Sequence, residues 1–186
     1  MSTKFEETTD LIGYLTVFDE IGLGTGQVRT LLDYGCGPGT VTARAAEVGD
    51  AEIFAVDGEE RLLDVARREH AHPRVTYHLL GDAGLAFLPD DSVDAAMSCS
   101  VFVSGADPAE VRADVAEIHR VLRPGARYAV LDTNPDADGV RLATFQACLD
   151  VFSEAGFTDL RVREPLLDAL PDESTRPPFL IVSGAK

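Results

Sequence analysis

The sequence predicts an α/β fold built on a doubly wound, mostly parallel seven-stranded sheet with helices on both faces. From residue 28 onward, short apolar runs that end in Asp or Gly alternate with helical patterns, which is typical of parallel strands joined by crossover helices. The last two apolar runs have no helix between them, so we expect an antiparallel strand pair at the C-terminal end. At 186 residues, without a linker or repeat, the chain predicts one compact domain.

The first half of the chain predicts three strands separated by two helices. The three apolar runs that predict strands are residues 28–33, 51–57 and 74–83. The first helix is expected over residues 40–49, where Gly49 ends it. The second is expected over residues 59–70, because Leu62, Leu63 and Ala66 recur at helical spacing and face inward.

The second half predicts four further strands, at residues 93–102, 127–132, 160–166 and 177–184. A helix is expected over residues 107–122, with Pro108 at its first position and residues 123–125, Arg-Pro-Gly, ending it. Another is expected over residues 141–155, where Gly156 stops it.

The composition argues against several classes of partner. The net charge is -16, so the phosphate backbone of a nucleic acid would be repelled over most of this acidic surface. No apolar run approaches the roughly 20 residues of a membrane span, and the N-terminus lacks a signal-peptide pattern, so we expect a cytoplasmic protein. Three cysteines without CxxC spacing and four scattered histidines form no zinc set, so no metal is expected.

Three glycines follow the first predicted strand, at the edge of the sheet where ligands bind in open parallel sheets. Gly35, Gly37 and Gly39 let a ligand approach bare backbone, and the next helix directs its free N–H groups into the same space. Asp57 ends the second strand 18 positions after Gly39, where an acid can accept both hydroxyls of a ribose. Together these features indicate an adenosine-type cofactor.

The order of residues in the glycine loop distinguishes between two such cofactors. A dinucleotide loop follows G-x-G-x-x-G, whereas this loop begins with an acid, Asp33. A carboxylate there would repel a pyrophosphate but suits a ligand that carries an ammonium and a sulfonium group. The loop therefore favours S-adenosylmethionine over a nicotinamide dinucleotide, although an NAD(P)-dependent oxidoreductase shares the sheet, the glycines and the ribose acid.

Four segments in order resemble the class I S-adenosylmethionine-dependent methyltransferases, a Rossmann-like domain family. "LLDYGCGPGT" is similar to the first motif of that family, and "AVDGEERLLDVARRE" to the second. "LLGDAGLAFLPDDSVDAAMSCSVF" resembles the third and fourth motifs, and "IHRVLRPGARYAVLD" the helix and strand that follow. The resemblance runs from about residue 28 to the end of the sequence.

The resemblance implies a set of residues that bind S-adenosylmethionine: Asp33, Gly35, Cys36, Gly37, Gly39, Asp57, Gly58, Asp82, Ala83 and Ser98. In the family the glycine loop cradles the methionine portion, with Asp33 assisting. Asp57 would hold the ribose hydroxyls with Gly58 near the adenine, and Asp82 would accept the adenine amino group beside Ala83. The carbonyl of Ser98 would face the methionine ammonium.

The N-terminal segment, residues 1–27, predicts a helix that covers the cofactor site of the domain formed by residues 28–186. Leu11, Leu15 and Phe18 lie at helical spacing, with Thr9 and Asp10 as caps. In many relatives such a helix folds over the cofactor, and Tyr14 would then reach the site. The alternative is a helix that only packs against the sheet.

Methyl transfer requires alignment of the acceptor and, for a hydroxyl, removal of a proton. The four histidines fall away from the carboxyl edge or inside other elements, whereas Asp132 follows the fifth strand and is the best acid for this role. A turn-capping role for Asp132 is the alternative. A small molecule is the expected acceptor, in a pocket that is open or is completed by residues 1–27 or by another subunit, as in a homo-oligomer. A non-catalytic S-adenosylmethionine-binding accessory module remains a third hypothesis.

Overall fold

A computed structural model of the chain describes residues 2–102, 108–133, 141–163 and 179–186, and these form the predicted α/β architecture. The helices are α1 (Ser2–Glu20), α2 (Thr40–Val48), α3 (Glu60–Glu69), α4 (Pro108–Val121) and α5 (Arg141–Ala155). The strands are β1 (Thr30–Tyr34), β2 (Glu52–Asp57), β3 (Val75–Leu79), β4 (Val93–Cys99), β5 (Leu122–Thr133), β6 (Thr158–Arg163) and β7 (Phe179–Ala185).

The strands form one seven-stranded sheet in the order β3-β2-β1-β4-β5-β7-β6. The first five strands pair in parallel, while β7 lies antiparallel between β5 and β6, so the predicted antiparallel end is confirmed. Strand order reverses between β1 and β4, which makes their carboxyl ends the expected place for a ligand.

Two hydrophobic clusters cover the two faces of the sheet, as expected of a doubly wound fold. Successive side chains of a strand point to opposite faces, so Leu31 belongs to one cluster and Leu32 to the other. Three helices, α1, α2 and α3, pack against the sheet in the first cluster through Phe18, Ala45 and Leu63. The second receives α4 and α5 through residues such as Val115, Ile118, Val151 and Phe152.

The start of β5 differs from the sequence prediction. The sequence predicts that residues 123–125 separate helix from strand, but α4 ends at Val121 and β5 begins directly at Leu122. Val93 pairs with Leu122 and Ala95 with Arg127, so the register shifts and the extra residues bulge out of the ladder. The Arg-Pro-Gly sequence therefore marks a bulge inside β5. The third strand is also shorter than predicted and ends at Leu79.

Helix α1 begins before its predicted caps and buries a different face. Its backbone is helical from Ser2, so Thr9 and Asp10 lie within the helix and are not caps. Leu11 and Leu15 remain 40% and 46% exposed, whereas Phe18 is buried with Val17 and Ile21. The side that packs follows Tyr14, Phe18 and Ile21, which is an equally regular helical repeat. Among the described residues no helix, α1 included, has the length and apolarity to cross a membrane.

Candidate functional site

A cavity of about 540 Å³ opens at the carboxyl ends of β1, β2 and β4, where the strand order reverses. The last residues of these strands contribute to it together with α1, the loop after β1, the start of α2, the start of α3 and the segment after β4. The residues that line it are Tyr14, Asp33, Gly35, Cys36, Gly37, Pro38, Thr40, Val41, Asp57, Glu59, Leu62, Cys99, Ser100 and Val101.

The glycine loop after β1 is fixed by its backbone and by close neighbours. The N–H groups of Gly35 and Cys36 both donate to the carbonyl of Val56, at 2.8 and 2.9 Å, which holds the loop against β2. A Cβ at Gly35 would collide with a methyl group of Val101. At Gly37, with φ +53°, a Cβ would meet no protein atom within 4 Å, so the loop faces open space there. The loop thus presents bare backbone to the cavity.

Gly39 serves packing and does not line the cavity. It precedes α2 with φ +85°, and a Cβ there would lie 2.8 Å from the hydroxyl oxygen of Tyr77 and 2.9 Å from the Cβ of Ala66. Glycine at this position therefore lets the loop and α2 approach α3 and β3. Thr40 and Val41, in the first turn of α2, do line the cavity, so the positive end of that helix faces it.

Asp33 is a buried carboxyl group at the floor of the cavity. It is 1% exposed, and the hydroxyl of Thr42 donates to its Oδ2 at 2.6 Å. Burial raises the pKa of Asp33 to about 7, the hydrogen bond from Thr42 acts in the opposite direction, and the negative charge of Asp57 adds to the increase. Near neutral pH, a cationic ligand beside Asp33 would therefore favour its ionised form.

Asp57 joins the glycine loop to the start of α3. Its Oδ2 accepts the N–H of Gly37 at 2.8 Å, and its Oδ1 accepts the N–H of Glu59 at 2.8 Å. Each carboxylate oxygen can accept more than one hydrogen bond, so these contacts leave capacity for a ligand hydroxyl. The structure thus brings Asp57 to the cavity, together with Asp33, Gly35, Cys36, Gly37 and Tyr14.

Other predicted site residues lie beside or away from this cavity. Gly58 is adjacent to two lining residues, and a Cβ there would also meet open space. Asp82 and Ala83 occupy an exposed turn after β3 and are not among the lining residues. The side chain of Ser98 is buried, with its hydroxyl 2.9 Å from that of Tyr128.

Strand parity explains why Cys99 reaches the cavity while the side chain of Ser98 does not. Asp33 pairs with Met97 in the parallel ladder, and residues two apart share a face, so Cys99 lies on the Asp33 side. Ser98 and its partner Tyr128 face the other cluster. Burial raises the pKa of both cavity thiols, Cys36 and Cys99, so neither is a thiolate near neutral pH.

Several lining residues are absent from the predicted site. The sequence predicts Leu62 in the core with Leu63 and Ala66, but it is only partly buried and borders the cavity. Glu59 reaches the cavity because it immediately precedes α3, and the proximity of Val101 to Gly35 is set by tertiary packing. Glu59 lies two positions after Asp57, the predicted ribose acid, and this proximity in the sequence could have predicted it as a lining residue.

Asp132 lies next to the cavity region, at the end of β5. It is 7% exposed, and its Oδ2 accepts the N–H of Phe102 at 2.9 Å. It is not among the described residues that line the cavity. Among the described residues, no group of three or more His, Cys, Asp or Glu is arranged to hold a metal ion.

A second cavity of about 400 Å³ lies at the opposite edge, where β1, β4 and β5 begin. Two of its charged groups are already paired with neighbours: Glu20 accepts a hydrogen bond from Ser183 at 2.8 Å and forms an ion pair with Arg163 at 2.8 Å, and Arg127 pairs with Asp159 at 2.7 Å. Ligands of open α/β sheets bind at the carboxyl ends of the strands, which favours the first cavity as the functional site.

The fit of this cavity to S-adenosylmethionine can be judged from its own groups. Open space at Gly37 leaves room for a ligand against the backbone, and Asp33 offers a carboxylate to a cationic tail. Asp57 lies 20 positions after Gly37 in the sequence but accepts a hydrogen bond from its N–H group. The carboxylate predicted to accept the ribose hydroxyls and the glycine loop therefore belong to the same wall of the cavity. These residues fit a ligand with a cationic amino acid tail and a ribose.

Comparisons with known proteins also indicate a methyltransferase. Residues 31–125 match the model of a family described as a methyltransferase domain. N-demethylindolmycin N-methyltransferase of Streptomyces griseus is 40% identical over 139 residues, covering 73% of this chain and 58% of that protein. O-methyltransferase cnsE of Penicillium expansum is 31% identical over 135 residues, covering 70% of this chain and 48% of that protein.

The chain therefore spans about half to three fifths of the length of these two curated relatives. Among solved structures, an S-adenosylmethionine-dependent methyltransferase from Mesorhizobium loti aligns with a TM-score of 0.72 at 22% identity. The alignment covers 96% of this chain and 98% of that one. At that identity the likeness supports the fold, and the family rests on the sequence matches.

Proposed function

The chain belongs to the class I S-adenosylmethionine-dependent methyltransferase family, and we propose that it transfers a methyl group to a small-molecule acceptor by direct in-line displacement. The observation that carries this proposal is the single cavity wall formed by Asp33, the glycine loop and Asp57. When bound, S-adenosylmethionine supplies an electrophilic methyl carbon. The protein's task is then to hold the cofactor, align the acceptor and exclude water.

Within this proposal each part of the cavity has a distinct task. The buried carboxyl group of Asp33 receives the cationic amino acid tail, and the bare backbone at Gly37 leaves room for it. Asp57 accepts ribose hydroxyls while it continues to hold the loop. Tyr14 on α1 borders the cavity, which supports a covering role for the segment of residues 1–27.

The charge of the cavity favours an acceptor that is uncharged or cationic. Asp33, Asp57 and Glu59 are acidic, and no basic side chain occurs among the described residues that line the cavity. A carboxylate or phosphate on the acceptor would meet this negative field with no basic side chain among the described lining residues to offset it. Small amines and hydroxylated molecules are therefore the acceptor classes to test, and N-demethylindolmycin is a natural first probe because the relative named for it is 40% identical.

Titration calorimetry with S-adenosylmethionine, S-adenosylhomocysteine and NAD tests the cofactor. We expect both adenosyl compounds to bind and NAD not to bind, and binding of NAD alone would refute the proposal. Asp57→Ala should weaken binding of the adenosyl compounds. Asp64→Ala is the matched control, because Asp64 is an exposed acid of α3 that does not line the cavity.

The transfer step is tested with methyl-labelled S-adenosylmethionine and N-demethylindolmycin, followed by a fractionated metabolite extract. Label in a neutral or cationic small molecule, lost in Asp57→Ala, is the expected result. Cofactor binding without labelled product across broad extracts would instead favour the non-catalytic module.

A further inference from the structure

The segment directly after β4, residues 100–102, folds across the glycine loop. Ser100 adopts a left-handed conformation with φ +62°, and its N–H donates to the carbonyl of Leu131 at 2.8 Å. This turn directs Val101 against Gly35, where a Cβ on the glycine would collide with it. Val101 thereby becomes a wall of the cavity.

A non-glycine residue keeps a left-handed conformation only where its surroundings hold it. In this structure two contacts at the neighbouring residue Phe102 hold Ser100 in its left-handed conformation. The Phe102 ring stacks on Tyr34, with ring centroids 6.3 Å apart and an interplanar angle of 15°. Its N–H donates to Asp132 Oδ2 at 2.9 Å, and that carboxylate is almost completely buried at the end of β5.

We propose that Asp132 is a positioning residue, whose carboxylate holds residues 100–102 in the turn that places Val101 against Gly35. The inference rests on the proposed function in that this cavity is taken as the cofactor site. Two observations favour positioning over removal of a proton from the acceptor. Asp132 is absent from the described lining residues, and its Oδ2 is already engaged by the N–H of Phe102 at 2.9 Å.

Asparagine and alanine at position 132 separate the two roles. The amide oxygen of Asp132→Asn can still accept the Phe102 N–H but cannot remove a proton, whereas Asp132→Ala removes the acceptor. The chain contains no tryptophan, so Phe102→Trp gives a single fluorescent reporter in the turn itself. Phe102→Trp alone, which must bind S-adenosylhomocysteine like the wild type, is the parent for both variants.

We expect Asp132→Ala to shift the emission of the introduced tryptophan to the red and to increase its quenching by acrylamide. The same variant should weaken S-adenosylhomocysteine binding about tenfold, the size of a lost charge-assisted hydrogen bond. Asp132→Asn should match the parent in emission and quenching and bind within about twofold of it. If Asp132→Ala leaves emission, quenching and affinity unchanged, or if Asp132→Asn fails like alanine, the positioning role is wrong.

Val101→Ala provides a second test that leaves Asp132 untouched and remains available if Asp132→Ala does not fold. Removing two methyl groups from the wall should weaken S-adenosylhomocysteine binding about fivefold, with quenching of the introduced tryptophan unchanged. If the affinity for S-adenosylhomocysteine is unchanged in Val101→Ala, Val101 does not act as a wall of the binding cavity. If the wild-type chain binds no S-adenosylhomocysteine, the proposed function fails, while the fluorescence comparison still decides whether Asp132 holds the turn.

Discussion

Alanine at Gly39 should destabilise the fold more than alanine at left-handed glycines whose Cβ would meet open space, such as Gly26 and Gly37. Gly26, Gly37 and Gly39 all have positive φ, so alanine at each costs about 1–2 kcal/mol of stability for the left-handed backbone. At Gly39 the new Cβ would also lie within 2.9 Å of two neighbours, Tyr77 and Ala66. Overpacking of this kind adds about 1–3 kcal/mol, so Gly39→Ala should lose about 2–5 kcal/mol in total.

Gly26→Ala and Gly37→Ala are matched controls, because a Cβ at either position meets no protein atom within 4 Å. Urea unfolding followed by circular dichroism measures the free energy of unfolding of all three variants. Titration calorimetry with S-adenosylhomocysteine then separates the controls, since only Gly37 lines the cavity and only its alanine should weaken binding. Equal destabilisation by Gly39→Ala and Gly26→Ala would refute the packing argument.

Three further outcomes follow from the site. Asp57→Ala should weaken S-adenosylhomocysteine binding by about 1–3 kcal/mol in calorimetry, because the proposed bonds to the ribose hydroxyls and the bond to the Gly37 N–H are lost together. An unchanged affinity would remove Asp57 from the site. The pKa of Asp33 rises from 3.8 to about 7 on folding, so the native state holds a proton that the unfolded state releases; stability should therefore fall as pH increases between about 4 and 7 and then level off. Asp33→Asn should remove that component from unfolding curves measured across this range, and a parallel pH dependence in wild type and variant would contradict the assignment. Ser98→Ala should cost about 1–3 kcal/mol in urea unfolding by leaving the buried Tyr128 hydroxyl without this partner. It should leave S-adenosylhomocysteine affinity unchanged, since Ser98 is not among the described residues that line the cavity.

Much of the fold was predictable because its signals are local. Alternating apolar runs and helical patterns predicted the seven-stranded sheet, and the missing helix before the last strand predicted its antiparallel end, which the pairing of β5, β7 and β6 confirms. The errors fall where local patterns are ambiguous. Arg-Pro-Gly at residues 123–125 fits a helix stop as well as a bulge, and only pairing of Leu122 with Val93 decides between them.

The face of α1 is ambiguous for a similar reason. Leu11, Leu15 and Phe18 form one regular helical repeat, and Tyr14, Phe18 and Ile21 form another. Intrinsic periodicity cannot choose between them, because both would bury apolar side chains. Contact with the first hydrophobic cluster selects the second repeat and leaves Leu11 and Leu15 exposed.

Short contiguous segments identify the family and the chemical character of the cavity, because the acids and glycines that carry both lie at the ends of successive strands. Asp33, Gly37 and Asp57 could be placed at one edge of the sheet without coordinates because the carboxyl ends of parallel strands meet there. In contrast, the folded chain is needed to show that Cys99 faces the cavity, that Val101 covers Gly35 and that Asp132 accepts a hydrogen bond from Phe102. Those contacts depend on strand register and on packing between segments as much as 66 positions apart, such as Gly35 and Val101, which no local pattern encodes.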